Sequence, residues 1–384
     1  MIARVWRIVA AFALAGLLLG TPLGPRAQTS ADRGFTYARA PYTYSWPSDH
    51  GAHPAYRTEW WYSTGHLQTA QGRRFGFELT FFRFGLRPGD PRPAAAQSRW
   101  RGNEVYPAHF AITDEAGNAF FSVERFAREG LGMGSAAEGK LDVRAGDWTL
   151  RGAPAGRPDF ERMVLHARAG TAGGPNAIDL VQVPEKPPAI HGHGGVSRKS
   201  SCPSCASHYY SYTRLDTRGT LTLAGRRYAV SGISWMDHEY GSAELQADQV
   251  GWDWFSLQLT DRRELMVYVL RQRDGSVTPQ SSGSLIAPDG SVRYLPRDAF
   301  AITASGTWKS PHTGALYPAG WRVTVPSAAI DVTLSPIVAD QELGGSTGAL
   351  AYWEGAVDAR DVETGKQLGV GYVELTGYAG AVSL

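Results

Sequence analysis

Apolar and polar positions alternate with a period of two along most of this chain, the spacing of strands that bury one face. Arg57 to Leu67 (R-T-E-W-W-Y-S-T-G-H-L) and Arg74 to Phe84 (R-F-G-F-E-L-T-F-F-R-F) flank a Q-G-R turn and predict a hairpin. In the first run Glu59 and Trp61 share one face while Trp60 and Tyr62 share the other. Further strands are expected over 108–113, 120–126, 141–150, 160–169, 178–183, 208–215, 219–234, 264–272 and 321–337. A hairpin around Asp289-Gly290 and closing strands at 350–356 and 369–378 complete the set. No stretch holds a helical period for more than about three turns. The fold class is all-β, a meander of hairpins rather than a βαβ sheet.

The densest chemistry lies between Gly232 and Leu259, in W-M-D-H-E-Y-G-S and G-W-D-W-F-S-L-Q-L. On an extended chain Asp237 and Glu239 share a face roughly 7 Å apart, with His238 and Tyr240 opposite. Such a cluster suits proton transfer. Trp252 and Trp254 also share a face, with Asp253 and Phe255 on the other, so acids next to an aromatic wall form a candidate pocket. The plain alternative makes Asp237 a turn residue, His238 a hydrogen-bonded scaffold group and the tryptophans core. Density weighs against it, because carboxylates are costly to bury among indoles unless the chemistry needs them.

At 384 residues the chain is long enough for two domains with separate cores. The 45 Gly, 23 Pro, 12 Trp, 17 Tyr and 14 Phe fit short strands joined by tight turns. Lys and Arg total 38 against 36 acids, and neither sign runs long, so no nucleic-acid partner is expected. At the N-terminus Arg4 and Arg7 precede an apolar run from Ile8 to Gly20, and the small Ala27 follows, which reads as a cleaved signal over 1–27. That run is short of the about 20 apolar residues a membrane span needs. With no second apolar segment, a protein exported to the periplasm or the extracellular space is expected, without a stable span in its mature form. The irregular stretch 185–207 carries His191, His193 and C-P-S-C (Cys202, Cys205), with His208 just beyond. Lacking a second Cys-x-x-Cys, the pair reads as a local disulfide or two unpaired thiols ahead of a metal or redox centre. No metal and no cofactor are expected. G-x-S-x-G is absent and no Ser/His/Asp order is legible, which leaves a serine hydrolase weakly supported.

The motifs E-W-W-Y-S-T-G-H-L, S-Y-T-R-L, W-M-D-H-E-Y-G-S, G-W-D-W-F-S-L-Q-L and Y-W-E-G-A-V with G-Y-V-E-L-T-G-Y resemble the lipocalin-like family that contains carotenoid 1,2-hydratase (hydroxyneurosporene synthase) and many exported proteins labelled predicted hydrolases. The likeness runs from about His53 to Tyr378. It implies two lipocalin-like (calycin) antiparallel β-barrels side by side, with domains at 34–236 and 237–384 and the W-M-D-H-E-Y-G motif near their seam. It also implies acid-catalysed addition of water to a hydrophobic polyene or terpenoid, in which a protonated alkene gives a tertiary cation that water captures. Such a site needs an acid kept neutral by apolar walls, and π faces near the cation.

Asp237 or Glu239 could supply the acid, and Trp60, Trp235, Trp252 and Trp254 the π faces, with Tyr62, Tyr268 and Trp353 as further substrate contacts. His238 and Tyr240 match the family's positions in the motif. The hydratases place a donor aspartate near a tyrosine on the following strand, where this chain has Glu264 and Tyr268 and no aspartate before Asp274. Glu59, Glu354 and Glu374 are either catalytic acids or barrel-closing ion-pair partners, with Arg57 and Arg214 as candidate cations. The competing expectation is a non-catalytic carrier of a lipid or pigment.

Overall fold

The computed structural model describes residues 34–89, 102–157, 160–243, 245–344 and 351–382. The expected signal over 1–27 lies outside them. Thirteen described strands build the first sheet. They are β1 (Thr58–Gln68), β2 (Arg74–Gly85), β3 (Glu104–Asp114), β4 (Ala119–Arg128), β5 (Gly134–Ala136), β6 (Asp142–Ala145), β7 (Trp148–Arg157), β8 (Phe160–Thr171), β9 (Gly174–Pro184), β10 (Ala189–Ile190), β11 (Ser197–Arg198), β12 (Ala206–Leu223) and β13 (Arg226–Ala243). Their order is β4-β3-β2-β1-β13-β12-β9-β8-β7-β6-β5, with β10 and β11 paired to β12. The two ends meet where β5 and β6 contact β3 and β4, so the sheet curls into a nearly closed barrel.

The second sheet holds β14 (Gln249–Leu259), β15 (Glu264–Gln272), β16 (Ser282–Ile286), β17 (Val292–Leu295), β18 (Ala301–Lys309), β19 (Leu316–Val325), β20 (Ile330–Pro336), β21 (Glu342–Leu343), β22 (Tyr352–Asp361) and β23 (Gln367–Leu375). Ordered β17-β16-β15-β14-β23-β22-β20-β19-β18, it forms a half-barrel beside the first. All pairs within the two sheets are antiparallel, as the hairpin pattern predicts. The described helical elements are single 3-10 turns, and none of the described helices is long and apolar enough to cross a membrane.

Period-two burial fills each barrel from its own strands. Trp61, Phe75, Phe77, Leu79 and Phe81 point into the first core, and Phe255, Leu257, Trp321 and Trp353 into the second. The expected β1/β2 hairpin is present, with Gln68 opposite Arg74. Three boundaries differ from expectation. The run 141–150 is split into β6 and β7 at Gly146, whose φ of +64° makes a tight turn. The stretches 208–215 and 219–234 are parts of two continuous strands of 18 residues that turn at Ala224-Gly225, where both φ values are positive, as a two-residue hairpin loop requires. The expected domain limit at 236/237 falls inside β13, which stays in the first sheet as far as Ala243 because it pairs with both β1 and β12.

Candidate active site at the seam

A pocket opens between the outer faces of the two sheets rather than inside either barrel. Its first wall is Trp60 and Tyr62 of β1, Thr80, Phe82 and Phe84 of β2, Tyr209 of β12, and Asp237 and Glu239 of β13. These are the residues that alternate with the core set, so one strand's two faces serve two purposes. The opposing wall is Trp252 and Trp254 of β14, Tyr268 and Leu270 of β15, Tyr352 and Glu354 of β22, and Glu374 of β23, while Lys199 and Leu245 come from connecting segments.

Asp237 is buried and held by three donors. Trp235 Nε1 donates to Oδ1 at 2.5 Å, Tyr209 Oη donates to Oδ2 at 2.7 Å, and Ser211 Oγ also donates to Oδ1. Trp254 Nε1 in turn donates to Tyr209 Oη at 3.0 Å. Burial pushes the Asp237 carboxyl up to about 7 despite these hydrogen bonds, with the Glu239 carboxylate adding to the rise. Glu239 makes an ion pair with Lys199 Nζ at 2.6 Å and accepts from Ser207. Lys199 Nζ also lies 4.6 Å from the centre of the Tyr268 ring.

Across the pocket Glu354 and Glu374 stand directly opposite each other on β22 and β23. Tyr62 Oη donates to Glu354 Oε1 at 2.7 Å, whereas Glu354 Oε2 is buried without a hydrogen-bond partner. Burial holds the Glu354 carboxyl well above the usual carboxylate range, helped by Glu374 and Glu78 nearby. Burial likewise pushes Glu374 up to about 8, against a hydrogen bond from Trp252 Nε1 at 2.9 Å. No ion pair with Lys or Arg is formed by either acid among the described residues, and burial favours the neutral form of both.

The expected residues therefore divide. Asp237, Glu239, Trp60, Tyr62, Trp252, Trp254, Tyr268, Glu354 and Glu374 line the seam, and Trp235 touches Asp237 from behind. His238 and Tyr240 point to the opposite face of β13, into the first barrel. There His238 Nε2 lies 2.8 Å from Glu59 Oε1 and Tyr240 stacks on His53 with ring centres 3.7 Å apart. Glu59 makes its ion pair with Arg83 at 2.7 Å, not with Arg57 or Arg214, because Arg83 sits opposite it on β2.

Arg214 instead pairs with Glu264, which Lys186 also holds, so Glu264 is a buried structural anion. Trp353 is in the second core, since Glu354 beside it takes the seam face. Cys202 and Cys205 are unpaired thiols. Sequence reading missed Lys199, Tyr209, Thr80, Phe82, Phe84, Leu245, Leu270 and Tyr352. For Phe82 and Phe84 the available signal was their two-residue spacing on the face of β2 opposite Phe75, Phe77, Leu79 and Phe81.

A family model described as AttH-like matches residues 37–378. The chain belongs to the AttH-like family. A candidate AttH protein from Nitrosomonas europaea is 31% identical in a solved structure, which superposes with a TM-score of 0.78 over 90% of this chain and 99% of that one. Kievitone hydratase from Nectria haematococca is 16% identical with a TM-score of 0.64, covering 91% of this chain and 97% of its own. The two-barrel fold of AttH-like proteins is thus shared with a hydratase. No curated protein sequence matches this one.

Proposed function

We propose that the seam pocket adds water across a carbon–carbon double bond of a hydrophobic polyene or terpenoid. The observation that carries this reading is the pair Glu354 and Glu374, buried, without a cationic partner and facing an aromatic wall that also holds Asp237. A neutral carboxylic acid is the group needed to protonate an alkene, and indole faces stabilise the cation that results. The Glu354–Glu374 pair supplies the proton to one alkene carbon. The tertiary cation forms beside Trp60, Trp252 and Trp254. Water attacks the other carbon and gives its proton to Asp237, whose oxygens already accept three hydrogen bonds and are aimed as an acceptor. Proton return from Asp237 to the glutamate pair closes the cycle. The likeness to a hydratase in fold supports the same class of reaction.

The test is incubation of the purified protein with acyclic polyenes and prenyl-bearing terpenoids in ¹⁸O-water, followed by mass spectrometry of the product alcohol. Labelled alcohol is expected, and Asp237→Asn and Glu354→Gln should each lower turnover about 100-fold or more with the fold retained. Full turnover in both variants sinks the mechanism. Tight ligand retention without turnover, unchanged in both variants, would instead mark a carrier, the reading that the apolar walls alone would favour. The basic-then-apolar N-terminus supports export of this activity from the cytoplasm, and a mature N-terminus near Ala27 is the expected check.

A further inference from the structure

We propose that His53, Glu59 and His238 bind a zinc-class divalent metal ion that pins the N-terminal segment to the first barrel. The three residues come from a loop, from β1 and from β13, and lie on the face of these strands that the seam pocket does not use. One ligating atom from each falls within 4.8 Å of the others. His53 Nδ1 and His238 Nε2 both point at a single oxygen, Glu59 Oε1, each at 2.8 Å. Bonds of about 2.0–2.2 Å to an ion between them need these atoms to spread by only about half an ångström.

The atoms behind the three ligands are arranged as a metal's supporting shell is. His53 Nε2 faces Asp49 Oδ1 at 3.3 Å and His238 Nδ1 faces the Asp49 carbonyl at 3.1 Å. Glu59 Oε2 accepts from Arg83 Nε at 2.7 Å and from the His53 backbone N–H at 2.9 Å. A ligating histidine normally donates its other N–H to a carboxylate or a carbonyl, which is what Asp49 offers to both rings. Stacking fixes the rings further, His53 on Tyr240 at 3.7 Å and His238 on Trp61 at 4.7 Å.

Proton and charge accounting point the same way. His53 turns both ring nitrogens toward carboxylate oxygens, so without an ion it needs two protons to satisfy them, whereas His238 Nδ1 faces both the Asp49 carbonyl and Tyr210 Oη, at 3.1 and 3.2 Å. With an ion bound, one N–H per ring suffices. Arg83 pairs with Glu59 and Glu104, and the third carboxylate of the cluster, Asp49, faces His53 Nε2. With both imidazoles neutral, as ligation requires, the three carboxylates and one guanidinium leave two negative charges, which one divalent ion balances. Two imidazoles and one carboxylate suit zinc, cobalt or nickel better than magnesium or calcium. Glu59 and His238 are fully buried, which fits a clamp more than a reaction centre. Because His238 lies between Asp237 and Glu239 on β13, the clamp also steadies the strand that carries those acids to the seam. This site stands on geometry separate from the hydration reading and survives if that reading fails.

Chelator-treated full-length protein titrated with Co²⁺ and with Zn²⁺ provides the test. One equivalent is expected to bind, giving a visible cobalt d–d band and a higher melting temperature. His53→Gln should weaken binding about 100-fold or more. Glu374→Gln, in the seam, should leave binding unchanged, which separates this site from the pocket carboxylates. X-ray absorption of the zinc-loaded native chain should report two imidazole nitrogens and carboxylate oxygen at about 2.0–2.2 Å, a readout that does not depend on any variant folding. No stoichiometric binding, binding that survives His53→Gln undiminished, or an absorption spectrum without imidazole ligands would each overturn the assignment.

Discussion

Glu354 and Glu374 oppose each other on neighbouring strands with no cation between them, an arrangement that costs stability whenever either loses its proton. The sign follows from linkage. A folded carboxyl raised to about 8 stays protonated while the unfolded chain ionises above its ordinary value, so the native state loses ground as pH rises toward 8. Glu374→Gln should therefore raise the melting temperature, with a gain on the order of a few kcal/mol near pH 8 that shrinks toward pH 5. Thermal melts at the two pH values check it. Turnover should fall together with native stability as pH rises through about 8 and the Glu374 proton is lost, and should fall again below about 7 as the acceptor Asp237 takes up a proton; a kcat profile from pH 6 to pH 10 measures this. At this scale the sequence exposed Asp237 and Glu239 as a pair on one face, because two-residue spacing is a property of any extended chain. It could not reveal that Lys199, 40 residues upstream, would neutralise Glu239 while Glu354 would meet only the Tyr62 hydroxyl and no cation.

Strand β13 shows how an element serves two sites. Its odd positions, Trp235, Asp237 and Glu239, face the seam, and its even positions, Met236, His238 and Tyr240, face the first barrel. Alternation was legible, but which face met which partner was not, since that depends on the strands that flank β13. The hairpin β1/β2 has the same double character, and Gly76 marks where β2 leans on the second sheet. A Cβ there would come within 2.6 Å of Tyr372 Oη and 2.9 Å of Ala356 Cβ. Gly76→Val should force the sheets apart and cost about 1–3 kcal/mol in chemical denaturation, with weaker binding of any seam ligand.

For the whole molecule, the seam is bound by polar contacts as well as by aromatic packing. Arg74 reaches Asp358 at 2.5 Å, His66 Nε2 donates to the Gly371 carbonyl at 2.8 Å, and Gln258 donates to the Ser234 and Thr213 carbonyls. Lys186 and Arg214, both of the first unit, converge on Glu264 of the second, each at 2.6 Å. Glu264→Gln leaves two buried cations short of a counter-ion and should cost about 3–5 kcal/mol. Because these contacts tie the units together, the loss should appear as one earlier unfolding transition in calorimetry rather than as selective melting of one barrel.

The sequence by itself determined the all-β class, most strand positions, the aromatic character of the candidate site and two of its acids, because period-two alternation and turn chemistry are local properties of the chain. Its motifs also carried the likeness to the two-barrel fold. Only the tertiary structure decided that the pocket lies between the barrels, that His238 and Tyr240 turn away from it, and that Glu354 and Glu374 join it. It also brought His53, Glu59 and His238 together from separate segments. Those outcomes depend on which strands pair and which faces meet across tens to hundreds of residues, and no local spacing encodes that.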